Sequence, residues 1–418
     1  MQHIELMAPA GNFESLQAAI DNGADSVYFG IEQLNMRAVS SINFTLEDLP
    51  GIVARCQPKG IRTYITLNTI LYDHDMALMR TIVDEALRCG VSAIIAADHA
   101  AIAYARQKGM EVHISTQANI TNVETLRFYA MFADTVVLSR ELSLNQVKKI
   151  VDAVDRENIC GPSGRRVEVE VFAHGALCMA ISGKCYLSLH THNSSANRGA
   201  CRQNCRQKYY VTDEDGNELL VDNEYIMSPK DLCIIDILDQ VAATGVRVLK
   251  IEGRGRSGDY VAVTTRCYRE AIDSYREGTY SKEKVAGWLE RLATVFNRGF
   301  WNGYYLGQEL GEWTEDQPGS HATQKKIYLG PGLGYFPKAG VAHFRIEAYD
   351  LKVGDPILIT GPTTGVQFLS VAEMMVDEKP AQTANRGEEV TFPVPFKVRP
   401  SDKLYKLVQS EIVNELLS

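Results

Sequence analysis

What this sequence lacks narrows its identity first. No apolar run approaches the ~18 residues of a membrane-crossing helix, and the opening Met1-Gln2-His3-Ile4-Glu5 lacks the basic start and apolar run of an export signal. The expectation is a cytoplasmic protein with no membrane partner. There is no HExxH and no GxSxG, so the usual marks of a metalloprotease and a serine hydrolase are missing. There is no P-loop, and no GxGxxG joins the first strand to its helix. Positive charge is also short, with 43 Lys plus Arg against 52 Asp plus Glu and a net charge of −9, so any nucleic-acid site must be local. An apolar content of 45% with 23% charged residues excludes a disordered or fibrous chain.

The cysteines are the feature that remains. Nine, an odd number, without an export signal argue against a disulfide framework and for thiols or metal ligands. Cys56, Cys89, Cys160 and Cys267 are scattered, whereas Cys178, Cys185, Cys201, Cys205 and Cys233 fall within 56 consecutive positions.

Short apolar, β-branched runs alternate with stretches of helical period, the pattern of repeated βα units around a parallel sheet. Eight such runs are predicted, at 4–7, 26–29, 62–67, 93–97, 111–115, 135–138, 167–173 and 247–251. Eight units in roughly 250 residues fit an α/β fold of the TIM-like (β/α)8 barrel type better than a doubly wound sheet. That fold gathers the residues after each strand at one mouth: Asn68, Asp98-His99, Gln117, Asn119, Ser139-Arg140-Glu141, His174-Gly175 and Glu252-Gly253-Arg254. Between Ala173 and Arg247 lie 73 residues, far more than an ordinary βα connection, and they hold all five clustered cysteines.

The expected organisation is a barrel over 1–310 with a cysteine-rich insertion at about 174–226, a linker at 311–324, and a small C-terminal antiparallel β-barrel over 325–418. The last rests on period-two runs at 326–329, 340–346, 356–360, 366–372 and 388–394. Within it, the stretch from Asp350 to Ile359 resembles strands of the second domain of translation elongation factors, a hint of RNA.

Cys178 and Cys185 are seven apart, and Cys201 and Cys205 four apart. Four thiolates from one irregular loop suit zinc or an iron-sulfur cluster, and unliganded core thiols are the third reading. His174, directly after the seventh strand, is placed to act as an acid or base, or to fix its loop by hydrogen bonds. His99 after the fourth strand is a second such residue, while His190 and His192 read as solvated or RNA-facing. Arg198, Arg202, Arg206 and Lys208 with Tyr209 and Tyr210 make a basic, aromatic patch suited to a splayed single strand, or an ordinary solvated face.

The stretch from Glu170 to Ser188, with Leu6-Met7-Ala8-Pro9-Ala10-Gly11, Gly23 to Gly30, Leu138 to Ser143 and Leu249 to Arg254, resembles the collagenase-like peptidase family U32 along nearly the whole chain. The resemblance implies a [4Fe-4S] hydroxylation protein. It lies nearest the branch that makes 5-hydroxyuridine at the tRNA wobble position with prephenate as co-substrate; other members act on ribosomal RNA cytidine or quinone precursors. It implies Cys178, Cys185 and Cys201 as ligands with Cys205 or Cys233 as the fourth, and Cys205 is favoured because it shares a short segment with Cys201.

A dicarboxylate such as prephenate calls for Arg, whose planar fork matches a carboxylate, and Arg140 and Arg254 follow strands six and eight. Either could instead pair with Glu141 or Glu252. Asn68, His99, Gln117, Asn119 and Glu252 complete the expected substrate pocket, with the tRNA anticodon loop as partner. Two alternatives stand beside this reading: a U32-type peptidase, with Cys178 and His174 as a thiol-imidazole pair, and a zinc-bearing RNA adaptor.

Overall fold

The computed structural model describes residues 3–39, 42–207, 211–212, 214–216, 218–219, 227–307, 312–314 and 319–410. Parts of the expected linker and insertion, and Lys208, Tyr209 and Tyr210, lie outside these. Eight strands form where the apolar runs predict them: β1 Glu5–Pro9, β2 Ser26–Gly30, β3 Arg62–Leu67, β4 Ala93–Ala96, β5 Glu111–Ile114, β6 Thr135–Val137, β7 Glu168–Gly175 and β8 Val248–Ile251. Each pairs in parallel with the next, and β8 pairs with both β7 and β1, which closes the barrel.

Helices alternate with the strands: α1 Phe13–Asp21, α2 Leu49–Cys56, α3 Met76–Cys89, α4 His99–Gln107, α5 Val123–Ala130 and α6 Leu144–Arg156. Their ends follow local chemistry. The side chain of Asn12 accepts from Ser15 N at 2.8 Å to start α1, and Gly90 ends α3 in the left-handed conformation at φ 78°.

Strand alternation sorts the side chains. Met7, Tyr28, Tyr64, Ile95 and Val248 fill the barrel interior, while residues of opposite parity, such as Leu6, Val27 and Leu249, pack against the helices.

The long connection after β7 carries α7 Leu187–His192, a short strand Asp231–Cys233 that pairs antiparallel with the end of β7, and α8 Leu238–Ala243. After β8 come α9 Gly258–Arg276 and α10 Lys282–Ala293.

Beyond them lies an antiparallel sheet whose principal strands are β9 Gln324–Phe336, β10 Val341–Arg345, β11 Pro356–Gly361, β12 Gly365–Ser370, β13 Glu389–Pro393 and β14 Lys403–Gln409. β14, which the period-two runs did not include, pairs with both β9 and β11 and so joins the two halves of this sheet. The sheet has its own core of Leu329, Phe344, Ile357, Val390, Phe392 and Leu404. It is fixed to the barrel through Leu358 and Val366, which join the barrel core, and through Lys326 Nζ to Asp259 Oδ1 at 2.5 Å. Among the described residues no helix is long and apolar enough to cross a membrane.

Candidate active site

At the C-terminal mouth of the barrel a cavity of about 660 Å3 lies between the strand ends and the cysteine-rich segment. Its inner end is built by strand residues of one parity. On β7 this is Phe172, with Glu170 buried beneath it, and on the neighbouring β8 Lys250, with Glu252 just beyond the strand end. Lys250 Nζ donates to Glu170 Oε1 at 2.9 Å and lies over the rings of Tyr28 at 4.5 Å and Phe172 at 5.6 Å. The other Glu170 oxygen has no hydrogen-bond partner.

Glu252 receives Arg37 Nη2 at 2.9 Å and the Tyr28 hydroxyl at 3.1 Å. Burial on its own raises the Glu252 carboxyl, but Arg37, Arg140 and Arg254 outweigh it and hold the group at about 2. Arg254 is buried and donates to Asn35 Oδ1 at 3.0 Å and Thr66 Oγ1 at 2.7 Å, and burial pulls its pKa down to about 10.

Arg140 is held differently. It donates to the Ala176 carbonyl at 3.1 Å and lies over Phe172 at 4.3 Å, but among the described residues its buried Nε has no partner. Among the described residues, four cations, Arg37, Arg140, Lys250 and Arg254, thus meet two carboxylates, Glu170 and Glu252, a net of two positive charges at this end.

On the side, Asn68 donates to Ser115 Oγ at 3.3 Å and Gln117 Oε1 at 3.2 Å, placing all three on the cavity wall as expected of Asn68 and Gln117. Asn119 instead ties the cysteine segment down, donating to Ser182 O at 3.1 Å.

The outer wall is the cysteine segment. Cys178, Cys185, Cys201 and Cys205 all line the cavity. Burial pushes the Cys205 thiol up, and the nearby Cys178, Cys201 and Cys185 add to this. Cys233 lies elsewhere: fully buried behind β7, within 3.7 Å of the Tyr268 hydroxyl, its thiol is pushed up to about 12 by burial. Of the two thiols proposed for the fourth place, Cys205 shares the cavity with the other three and Cys233 does not. Among the described residues no three His, Cys, Asp or Glu side chains are drawn together closely enough to hold a metal ion. The donor set is all sulfur, and it surrounds one wall rather than one point.

Several sequence-predicted residues fall outside the cavity, each for a visible reason. His174 shares the parity of Glu170 and Phe172, but the register with β8 shifts at Ala173, so His174 pairs with Ile251 instead of continuing inward. It packs outside the barrel among Tyr260, Tyr268 and Phe300, where burial lowers it to about 3, and it forms no pair with Cys178. His99 begins α4 and stacks on Tyr129 at 6.4 Å, away from the cavity.

Arg198 binds Asp75 Oδ2 at 2.7 Å and the Ile70 carbonyl at 3.0 Å, and covers the Tyr72 ring at 4.0 Å. Arg206 lines the cavity but gives its N–H groups to Ser228 Oγ, Pro229 O and Leu177 O at 2.6–2.8 Å. These two arginines hold the segment in place. Arg202 is exposed, with only its backbone N–H bound, to Ser188 Oγ at 2.9 Å.

Among the cavity residues not foreseen are Arg37, Lys250 and Tyr28. Lys250 had a readable signal, a lysine inside an apolar strand at the parity of Glu252. Arg37 lies in an irregular loop and had none.

The model of peptidase family U32 matches residues 11–315. The chain belongs to that family. It is 58% identical over 97% of its length to a protein named collagenase from Porphyromonas gingivalis, 98% of which is covered. It is 37% identical to an uncharacterized protease of Methanocaldococcus jannaschii, over 98% of this chain and all of that one. It is also 31% identical to tRNA hydroxylation protein P1 of Bacillus subtilis, over 96% of this chain and 94% of that protein. Relatives of this U32 chain thus carry names from two chemistries, and the cavity has to be weighed against both.

Proposed function

We propose that this chain takes part in prephenate-dependent hydroxylation of the tRNA wobble uridine, replacing the C5 hydrogen of the base by a hydroxyl. The observation that carries this reading is one cavity with an all-thiol outer wall and an inner end left with two positive charges. Cys178, Cys185, Cys201 and Cys205 would hold a [4Fe-4S] cluster, whose irons take thiolate ligands. When bound, the cluster supplies redox-active iron beside the substrate.

The inner charges match a dianionic metabolite. Arg140, with a buried N–H still to satisfy, meets one carboxylate, and Lys250 lies across Phe172 from it. Glu252 keeps Arg37 and Arg254 oriented without neutralising the whole group. Chemistry on a base requires its extrusion from the stack, and the cavity lies within the ~300–1,000 Å3 of small-molecule sites.

The peptidase names favour a second reading, but the expected pair of Cys178 with His174 does not form, because His174 packs among Tyr260, Tyr268 and Phe300. The test is nucleoside mass spectrometry of tRNA from a strain lacking the gene, complemented by wild type or by Cys178→Ser, with gelatin cleavage assayed on the same anaerobically purified protein. Wild type is expected to restore 5-hydroxyuridine and Cys178→Ser to fail. A colourless protein that cleaves gelatin and leaves tRNA unchanged would sink the proposal.

A further inference from the structure

A second set of cations lines the same cavity, at the edge formed by the residues after β8 and the segment after α10. Arg256 places its guanidinium 3.5 Å from the centre of the Phe296 ring, and Arg298 lies over the same ring at 5.0 Å. Both line the cavity. Arg298 is paired with Asp231 at 3.2 Å, but the Arg256 side chain makes no hydrogen bond or ion pair among the described residues. Its guanidinium lies over the faces of Phe296 and, at 5.9 Å, Tyr260, and it feels the charge of Asp231 without pairing with it.

Arg206 stands close enough to Arg298 that their charges oppose each other, which leaves three guanidiniums to share the carboxylate of Asp231. A guanidinium that lies over an aromatic ring and lines a cavity can offer its N–H groups to a tetrahedral oxyanion. The residues that precede α9 read Gly253-Arg254-Gly255-Arg256-Ser257-Gly258, a glycine-spaced turn from strand to helix. The position after the last strands of a parallel barrel is a frequent place for phosphate.

We propose that Arg256, supported by Arg298, is a phosphate-binding subsite, separate from the carboxylate-binding inner end. The proposal rests on the nucleic-acid reading above and deepens it. One cavity then has two cationic positions, one for a dicarboxylate beside Arg140 and Lys250, and one for the phosphate of the nucleotide whose base enters. The two positions are electrostatically linked, since the charge of Arg37 is felt by both Arg254 and Arg256.

The test uses the full chain, isolated anaerobically, and titration calorimetry with uridine, uridine 5′-monophosphate, the dinucleotide UpU and inorganic phosphate. Uridine monophosphate and UpU are expected to bind roughly 10- to 100-fold more tightly than uridine. Arg256→Gln should erase that difference while prephenate binding is kept, and Arg256→Lys should retain part of it. Melting curves of both variants establish folding. Equal affinity for uridine and its monophosphate, or a difference that survives Arg256→Gln, overturns the subsite.

A preference for inorganic phosphate over both nucleotides overturns the nucleotide source and leaves a free-phosphate site. The two readings fail separately. A chain that restores 5-hydroxyuridine in tRNA but shows no Arg256-dependent difference loses the subsite alone. A chain with that difference and no tRNA product keeps the subsite and loses the hydroxylation reading.

Discussion

The two walls of the cavity are made in opposite ways. The inner end stands on β7 and β8, and its charged groups are held by the barrel: Lys250 on Glu170, Arg37 on Glu252, Arg254 on Asn35 and Thr66. The outer wall stands on largely irregular backbone, and from Ala176 to Gln207 it contains no Asp or Glu in 32 residues, although the chain has 52 acidic residues in 418. Met179, Ile181, Tyr186 and Leu189 are exposed there, Tyr186 at 67%. Rigid strands suit a small ligand that must be oriented to a fraction of an ångström, whereas an acid-free, partly apolar loop suits a large polyanion. The arrangement thus divides recognition between an ordered floor and an adaptable rim.

Breaking the floor is expected to have the largest effect. Glu252→Gln removes the counter-charge of the buried Arg254 and of Arg37, which is 29% exposed, and costs at most about 3–5 kcal/mol, the cost for a fully buried pair. Chemical denaturation of the variant against wild type measures it. The same group sets an acid limit. Its folded pKa of about 2 lies below the ordinary 4.5, so its stabilisation is complete above 4.5 and is lost as pH falls toward 2. In Glu252→Gln that part of the acid transition should vanish.

On the rim, serine at Cys178, Cys185, Cys201 or Cys205 is expected to bring bound iron to near zero. Cys233→Ser should keep the iron and lower the melting temperature instead, because it buries a hydroxyl beside Tyr268. Iron assay and visible absorbance of the five variants decide this, and iron loss in Cys233→Ser with retention in Cys205→Ser would falsify the assignment.

His174 offers a milder contrast, since it lies outside both walls. Held at about 3 in the fold against 6.5 when free, it binds its proton only in the unfolded chain between those values. Its contribution is full above 6.5 and falls with pH, by about 1.4 kcal/mol per pH unit well inside the window. His174→Leu should flatten the stability profile between about 6.5 and 4.5, and leave iron content and phosphate binding as in wild type.

These contrasts also explain what was legible in the sequence. The eight barrel strands were, because each is a short apolar run bounded by turns, and so was the gathering of Cys178, Cys185, Cys201 and Cys205 on one loop. The exclusion of His174 was not, because a one-residue shift at Ala173 reverses which way a side chain points without leaving any mark in composition. Arg198 and Arg206 looked like an open basic patch, since a sequence shows a guanidinium's charge but not the carbonyls and Asp75 that occupy it. Arg37 and Arg256 went unremarked because their value lies in partners 215 residues away, as for Arg37 and Glu252, or in having none, as for Arg256.

The smallest expected effect concerns the seam between the two walls. The rim is tied to the floor at residues 196–199: Ile70 N donates to Asn197 O at 3.1 Å and Val39 N to Gly199 O at 3.2 Å. Gly199 is needed there, with φ at 82° and a Cβ that would lie 2.2 Å from the Asn35 carbonyl. Arg198 reinforces this seam through Asp75, a pair that is buried on the acid's side and 24% exposed on the arginine's. Partial exposure limits its worth to about 1 kcal/mol. Arg198→Ala should therefore leave global stability almost unchanged, yet raise amide hydrogen exchange in 196–199 by roughly fivefold, the factor that about 1 kcal/mol of local opening gives. Unchanged exchange would mean that the backbone bonds and Gly199 hold the rim unaided, so that floor and rim form one rigid body rather than two parts joined at a latch.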